Sequence, residues 1–376
     1  MNRPQGLNDK LMGETPQATG ERVDFKLYTE GDELYQDMLV SLSQARNTIR
    51  MESYLFAPDR LGWRFAEILA QCARRGVAVR LHLDAAGSLF WSTQKLERYL
   101  RRSGVRVRWF HRWSWRAPLR YNRRNHRKLL VIDQHHAYLG GFNIHRENSR
   151  ELYGEQRWRD THVRITGGLV AQACALFDNF WKGRHRRWRS PELVVGGSIL
   201  LPNHNRYYRL TLHSLYMDVF SRATDSLYLT TPYFVPDRRT QAALMAAARR
   251  HVDVRILVPR KSDIWVTQWA AQAAYAALLE SGVRIYEYLP RVLHAKTLVV
   301  DGSWCTIGTA NVDYRSFFLN YELNLVSRDK ALCHCLETHF MSDLAESVEV
   351  CQRQWAQRRW YQQLRETVAW FARRWL

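Results

Sequence analysis

Two histidines, two lysines and two asparagines recur along this chain in an order suited to moving a phosphoryl group. The strings are His126-x-Lys128-x4-Asp133-x6-Gly140-x2-Asn143 and His294-x-Lys296-x4-Asp301-x6-Gly308-x2-Asn311, set 168 positions apart. Transfer at phosphorus needs a nucleophile, an acid for the departing oxygen, and cations or donors for the non-bridging oxygens. A neutral imidazole can attack phosphorus and form a phosphohistidine. A protonated imidazole across the site can give its proton to the departing alkoxide. The roles then reverse, the second histidine deprotonating the incoming alcohol or water. Lys128 and Lys296 would hold phosphoryl oxygens as point charges, and Asn143 and Asn311 would donate amide hydrogens. No cluster of carboxylates suits Mg²⁺, so neither a metal nor a cofactor is expected.

Each imidazole also needs a partner that fixes its tautomer and orientation. Asp160, in Trp158-Arg-Asp-Thr161, and Glu322, in Asn320-Tyr-Glu-Leu323, occupy matching places after the two strings. They are the expected orienting acids. Asp133 and Asp301 complete the strings and are carried with the catalytic set as motif residues. They lie at the far end of a short strand from their histidines, and about five strand residues span ~16 Å, so turn or salt-bridge roles are expected for them. A single histidine is usually just a polar residue, and this chain has fourteen. Two copies of the extended string are what separates a phosphodiester site from that background.

The duplication reaches well beyond the strings. Ala45 to Asp59 and Ala223 to Asp237 each read as a strand closed by a Pro-Asp turn. An Ala-rich amphipathic helix follows each, Trp63 to Arg75 or Gln241 to Arg250, then a strand, Val77 to Leu83 or Val252 to Val258. A second helix stops at Ser103-Gly104 or Ser281-Gly282. Each motif lysine then opens an apolar run, Leu129 to Ile132 or Thr297 to Val300, that fits a buried central strand. Alternating strands and helices predict an α/β fold with a parallel or mixed sheet in each half. A pseudo-twofold between the halves would bring the two strings to one interface.

The chain divides accordingly into residues 1–24, expected to be flexible, a first lobe at 25–190, a second at 191–348, and a basic amphipathic helix at 349–376. Its 376 residues with 46% hydrophobic content suffice for two globular lobes. Six scattered cysteines in so large a chain point to a reducing compartment. Cys333-His334-Cys335 with His339 falls in a helical stretch, where i and i+2 do not share a face, and makes no metal site. The formal charge of +20 calls for an anionic partner.

The strings resemble those of the phospholipase D superfamily, over roughly residues 25 to 345. The resemblance implies two α/β/α lobes with mixed sheets, one active site at their interface, a phosphohistidine and no metal. In much of that family the first-half histidine, here His126, is the nucleophile and the second, His294, the acid. Glu52-Ser-Tyr-Leu-Phe56, Asn125-His-Arg-Lys128, Gly140-Gly-Phe-Asn-Ile144, Trp158-Arg-Asp-Thr161 and Thr231-Pro-Tyr-Phe234 are most similar to bacterial cardiolipin synthases of the short, peripheral type. That implies transfer of a phosphatidyl group from phosphatidylglycerol, or another phospholipid, to the hydroxyl of a second phosphatidylglycerol. A lipid hydrolase of the same superfamily and a nuclease-like phosphodiesterase are the alternatives.

Two segments suggest how lipid is reached. His126 follows Val107 by nineteen positions, whereas His294 follows Ile285 by nine, and the extra residues are basic and aromatic. Trp113, Trp115 and Arg116 there are expected to touch a membrane, an acidic residue being absent from Arg98 to Arg127. Near the C-terminus, Tyr361, Leu364, Val368, Phe371 and Trp375 step by three and four along one helical face, flanked by Trp370 and Arg374. That pattern suits a helix lying on anionic lipid. No run approaches the ~18 apolar residues of a membrane span. The expected partners are an anionic phospholipid membrane and phosphatidylglycerol, without nucleic acid, and the expected place is the cytoplasmic face of a bacterial inner membrane, held peripherally.

Overall fold

The computed structural model describes residues 22–89, 93–111, 115–116, 121–185, 187, 194–262 and 265–356. The first half builds a seven-stranded sheet from β1 (Val23–Tyr28), β2 (Thr48–Ser53), β3 (Ala78–Asp84), β4 (Arg106–Phe110), β5 (Leu129–Ile132), β6 (His136–Gly140) and β7 (His162–Gly167). Their order across the sheet is β1-β7-β6-β5-β2-β3-β4. The second half supplies β8 (Ser198–Pro202), β9 (Ser226–Thr230), β10 (Phe234–Val235), β11 (Asp253–Pro259), β12 (Arg284–Tyr288), β13 (Thr297–Val300), β14 (Trp304–Gly308), β15 (Val312–Asp313), β16 (Leu323–Ser327) and β17 (Ser347–Glu349). Its main sheet runs β17-β12-β11-β9-β13-β14-β16-β8. Read from its far end, this is the first order again, with β17 added beyond β12.

Both sheets are mixed in the same way. β2 pairs in parallel with β3, and β3 with β4; β9 pairs in parallel with β11, and β11 with β12. The remaining pairs within these two sheets are antiparallel, including the hairpins β5–β6 and β13–β14 that follow each motif lysine, while β10 and β15 form a separate parallel pair. The α/β class with two related mixed sheets is therefore the observed one. All four residues of β5 and of β13 are buried, as unbroken apolar runs require.

The Pro-Asp turns work as helix starts. Asp59 accepts from the Gly62 N–H, and Asp237 from the Thr240 N–H, capping helices Arg60–Arg74 and Arg238–Arg249. Gly104 and Gly282 take φ of 91° and 90° just past the second helix of each half, a backbone glycine adopts without a Cβ penalty.

Three apolar clusters set the layers. One lies between the first sheet and helices Gly31–Ser43, Arg60–Arg74 and Gln94–Arg102. Its counterpart joins the second sheet to helices Arg206–Arg222, Arg238–Arg249 and Trp265–Glu280. The third draws Leu129, Val163 and Phe177 from one half and Val299, Leu323 and Leu336 from the other. The halves thus share an apolar core along their central antiparallel strands, which fixes their relative position.

Two boundaries differ from expectation. β1 starts at Val23 and pairs with β7 from that residue, so the first sheet begins before 25. Residue 349 does not open a helix: Ser347–Glu349 is strand β17, paired with β12. The described helix there is Gln352–Ala356, and Trp355 packs against Tyr275 with ring centroids 5.0 Å apart. The cysteine-rich stretch is helical, within Lys330–Ala345, with Cys333 in the shared core and Cys335 Sγ 4.0 Å from His339 Nε2.

Candidate active site

His126 and His294 each stand two residues before a motif lysine, at the entrance to β5 and β13. Short parallel bridges join the halves there, Asn125 with Tyr321 and Arg159 with Leu293. The His126 N–H donates to Tyr321 O at 2.9 Å, and the Tyr321 N–H to Arg124 O at 2.8 Å. In the mirrored place the His294 N–H donates to Arg159 O at 2.7 Å, and the Arg159 N–H to Val292 O at 2.8 Å. Each histidine is therefore clamped to the residue preceding the acid of the opposite half.

The side chains follow that exchange. His126 Nδ1 lies 2.9 Å from Glu322 Oε2 and 3.1 Å from Thr309 O. His294 Nδ1 lies 2.6 Å from Asp160 Oδ2. With Nδ1 engaged by a carboxylate, Nε2 is the nitrogen left to a substrate. Both acids are buried, and Arg159 braces Asp160 from behind through a two-pronged pair with Asp343 at 2.9 and 2.7 Å.

The glycines of the strings make room for this. A Cβ on Gly140 would overlap Thr161 O, and one on Gly308 would overlap Leu323 O and Asn324 Oδ1. At Gly141 it would overlap the Asp160 carboxylate itself.

Burial sets the electrostatics. It pushes His126 down to about 4, against the opposing pull of Glu322, with Lys128 and Lys296 adding to the fall. Lys128 is held down to about 7 by burial and by Lys296 nearby. For Asp160, burial acts upward, but Lys296, His294 and the Thr161 N–H together keep it below the usual carboxylate range. Lys128 Nζ donates to His126 O at 2.9 Å, and Lys296 Nζ donates to His294 O. Both ammonium groups are buried in the shared site.

A cleft of ≈ 250 Å³ opens between the halves, lined by both histidines, Asn143 and Asn311. Asn143 Oδ1 accepts from the Leu55 N–H at 3.2 Å, whereas Asn311 Oδ1 is buried without a partner among the described residues. Asp133 and Asp301 are elsewhere. Asp133 accepts from the N–H groups of Arg46, Asn47 and Thr48 at 2.6 to 2.7 Å. Asp301 accepts from Thr224, Asp225 and Ser226 at 2.8 to 3.0 Å. They tie hairpin turns to the starts of β2 and β9, and they leave the catalytic set. A larger groove, ≈ 460 Å³, runs between helices Gly31–Ser43 and Arg60–Arg74, but neither histidine nor lysine of the strings lines it.

Other residues reach the cleft that spacing alone had not marked. Tyr54 sits edge-on to His126 with centroids 5.0 Å apart, and Tyr233 edge-on to His294 at 6.2 Å. Trp158 lies 5.3 Å from His294. Arg124, Asp313, Arg315 and Asn320 complete the lining. The repeat does not pair the two tyrosines, since Tyr54 stands two residues past Glu52 and Tyr233 three past the equivalent Thr230; the arginines likewise have no repeat partner of their own type.

Of the expected membrane contacts, Trp115 is 72% exposed, with the Arg116 guanidinium 5.1 Å over its ring. Trp113, Trp370, Phe371 and Arg374 lie outside the described residues, as do residues 1–21 and 357–376. Among the described residues no helix is long and apolar enough to cross a membrane.

A doubled α/β unit with an intact pair of histidine–lysine strings at one interface defines a phospholipase D-like protein. A family model described as "Cardiolipin synthase, PLD-like domain" matches residues 38–181 and 216–344, and the chain belongs to that family. It is 34% identical over 340 residues to the "Probable cardiolipin synthase YwiE" of Bacillus subtilis (strain 168), covering 86% of this chain and 66% of that protein. It is 33% identical over 347 residues to a cardiolipin synthase of Clostridium perfringens (strain SM101 / Type A), covering 88% and 72%. The match thus spans about two thirds of these relatives' length. Among solved structures, the phosphatidylserine synthase of Haemophilus influenzae Rd KW20 shares the fold, with a TM-score of 0.74 over 94% of this chain and 95% of that one at 13% identity.

Proposed function

We propose that this protein is a phosphatidyltransferase that passes a phosphatidyl group from phosphatidylglycerol, or another phospholipid, to the hydroxyl of a second phosphatidylglycerol. The observation that carries this is the pair of crossed contacts, His126 with Glu322 and His294 with Asp160. Each orients one imidazole so that its Nε2 serves the same cleft.

Chemistry then divides unequally between the two. Burial keeps His126 neutral at physiological pH, and donation from Nδ1–H to Glu322 leaves the lone pair on Nε2. That nitrogen attacks phosphorus, forming the P–N bond as the P–O bond to the leaving alcohol breaks. His294, whose imidazolium form is stabilised by ionised Asp160, protonates the departing oxygen. Neutral His294 next takes the proton of the acceptor hydroxyl, whose oxygen attacks phosphorus and releases His126. Lys128, Lys296, Asn143 and Asn311 hold the non-bridging oxygens throughout.

Support for a lipid surface is the formal charge of +20 and the exposed Trp115 with its arginine. We place the enzyme peripherally on anionic lipid, at the cytoplasmic face of a bacterial inner membrane. Each basic side chain near such a surface adds ~1 kcal/mol.

Alkaline quenching of a reaction with phosphatidylglycerol, followed by peptide mass spectrometry, tests the intermediate. A phosphatidyl adduct on the His126 peptide is expected, absent from His126→Ala. Product formation with the adduct on His294, or with none, would contradict the assignment.

A further inference from the structure

The pseudo-twofold is broken inside the cleft, and the break is one of charge. Around His126 the lining includes Arg124, Arg315 and Asn320. The repeat places Val292 opposite Arg124 and Glu147 opposite Arg315, by the step of 168 that relates the strings. It places Trp158 opposite Asn320, by the step of 162 that relates Asp160 to Glu322. Of these three counterparts only Trp158 reaches the cleft. The His294 side is thus aromatic, and the His126 side carries two guanidinium groups.

One phosphoryl group does not require them. Two lysines and two asparagines already meet the non-bridging oxygens of the group in transfer. Arg124 is nevertheless built in deeply, 5% exposed, with its Nη2 donating to His111 O at 3.1 Å and Nη1 3.3 Å from Asp84 Oδ1. The Asp84 carboxylate is itself occupied by the Asn125 and Ala86 N–H groups at 2.7 and 2.8 Å. Arg124 Nε and Asn320 Oδ1 are buried without a hydrogen-bond partner among the described residues. Arg315 donates to Asn122 Oδ1 and Asn122 O at 2.9 Å in each bond. Asp313 shares this lining and accepts from the Ser316 N–H at 2.6 Å, and Asp84 forms a buried ion pair with Arg124. A buried donor left unmatched in an open cleft, here Arg124 Nε, is completed by a ligand, and a planar guanidinium pair fits phosphate oxygens.

We infer that Arg124, Arg315 and Asn320 form a second anion subsite that holds the phosphodiester of the acceptor lipid, so that the enzyme prefers an alcohol already carrying a phosphate. This rests on the phosphatidyltransferase function proposed above. The subsite selects between acceptors; it takes no part in bond making.

The test is a partition within one reaction. Phosphatidylglycerol vesicles with added deuterated glycerol offer one donor and two acceptors, giving cardiolipin or deuterated phosphatidylglycerol. Arg315→Gln is expected to lower the ratio of cardiolipin to deuterated phosphatidylglycerol tenfold or more, and Arg315→Lys to lower it less. The ratio is independent of how much folded enzyme is present, and the Lys variant provides the reading if the Gln variant fails to turn over. An unmoved ratio, with both products falling together, overturns the inference alone. A wild-type ratio depressed by inorganic phosphate as far as by Arg315→Gln would make this a free-phosphate site and also overturn it. Wild-type protein that forms neither product overturns the proposed function, and the inference with it.

Discussion

Asp160 comes from the first half of the chain and His294 from the second, yet their side chains meet at 2.6 Å. Glu322 and His126 meet in the reverse sense at 2.9 Å. Neither half pairs its own motif histidine with its own orienting acid. The site exists only when the halves are docked, and the shared apolar core is what docks them.

Removing either acid's charge should therefore disable the imidazole of the other half. Asp160→Asn and Glu322→Gln are each expected to lower kcat about 10²–10⁴-fold, because the amide can hold the wrong tautomer. Turnover at matched circular dichroism checks this. Loss confined to one variant would show that only one histidine depends on its carboxylate.

The pH profile of kcat/KM should have limbs from two buried groups. His126 must be neutral, and its value near 4 places the acid limb well below neutrality. Lys128 must be charged, and its value near 7 means the rate declines as pH rises through about 7. Arginine stays protonated across this range, so Lys128→Arg should move the alkaline limb upward. A limb that stays in place would remove Lys128 as its source.

Glu52 and Arg127 form an ion pair at 3.0 Å with both side chains fully buried, and the Arg127 guanidinium lies 4.7 Å over the Phe180 ring. Breaking one partner of such a pair costs about 3–5 kcal/mol. Arg127→Met is expected to lower thermal stability by that order, and the joint replacement with Glu52→Leu to recover most of it. Denaturant unfolding of the two variants decides; a stable Arg127→Met would mean that the pair contributes little.

Gly141→Ala places a methyl where the Asp160 carboxylate packs. The expected result is a loss of turnover of at least tenfold, with a stability cost of ~1–3 kcal/mol typical of overpacking. Wild-type kinetics in this variant would show that Asp160 has room to move without consequence.

Much of this was legible in the sequence because it was written twice. The repeat gave β2, β3 and the Pro-Asp helix caps in both halves, and it picked out Asp160 and Glu322 as matching acids. It could not show that the acids exchange partners, since the Asn125–Tyr321 and Arg159–Leu293 bridges join segments far apart in the chain. Periodicity was also blind to Arg124 and Arg315, which matter because they break the repeat. Strand β17 went unseen: three residues at a sheet edge are too few for alternation to register.

Product analysis by mass spectrometry tests the central claim most directly. Purified protein is incubated with phosphatidylglycerol liposomes, with and without phosphatidylethanolamine and glycerol, beside a His126→Ala control. Cardiolipin formed by the wild type and absent from the control is the predicted result. Phosphatidic acid alone would make the protein a hydrolase, and unchanged lipid together with DNA cleavage would contradict the account outright.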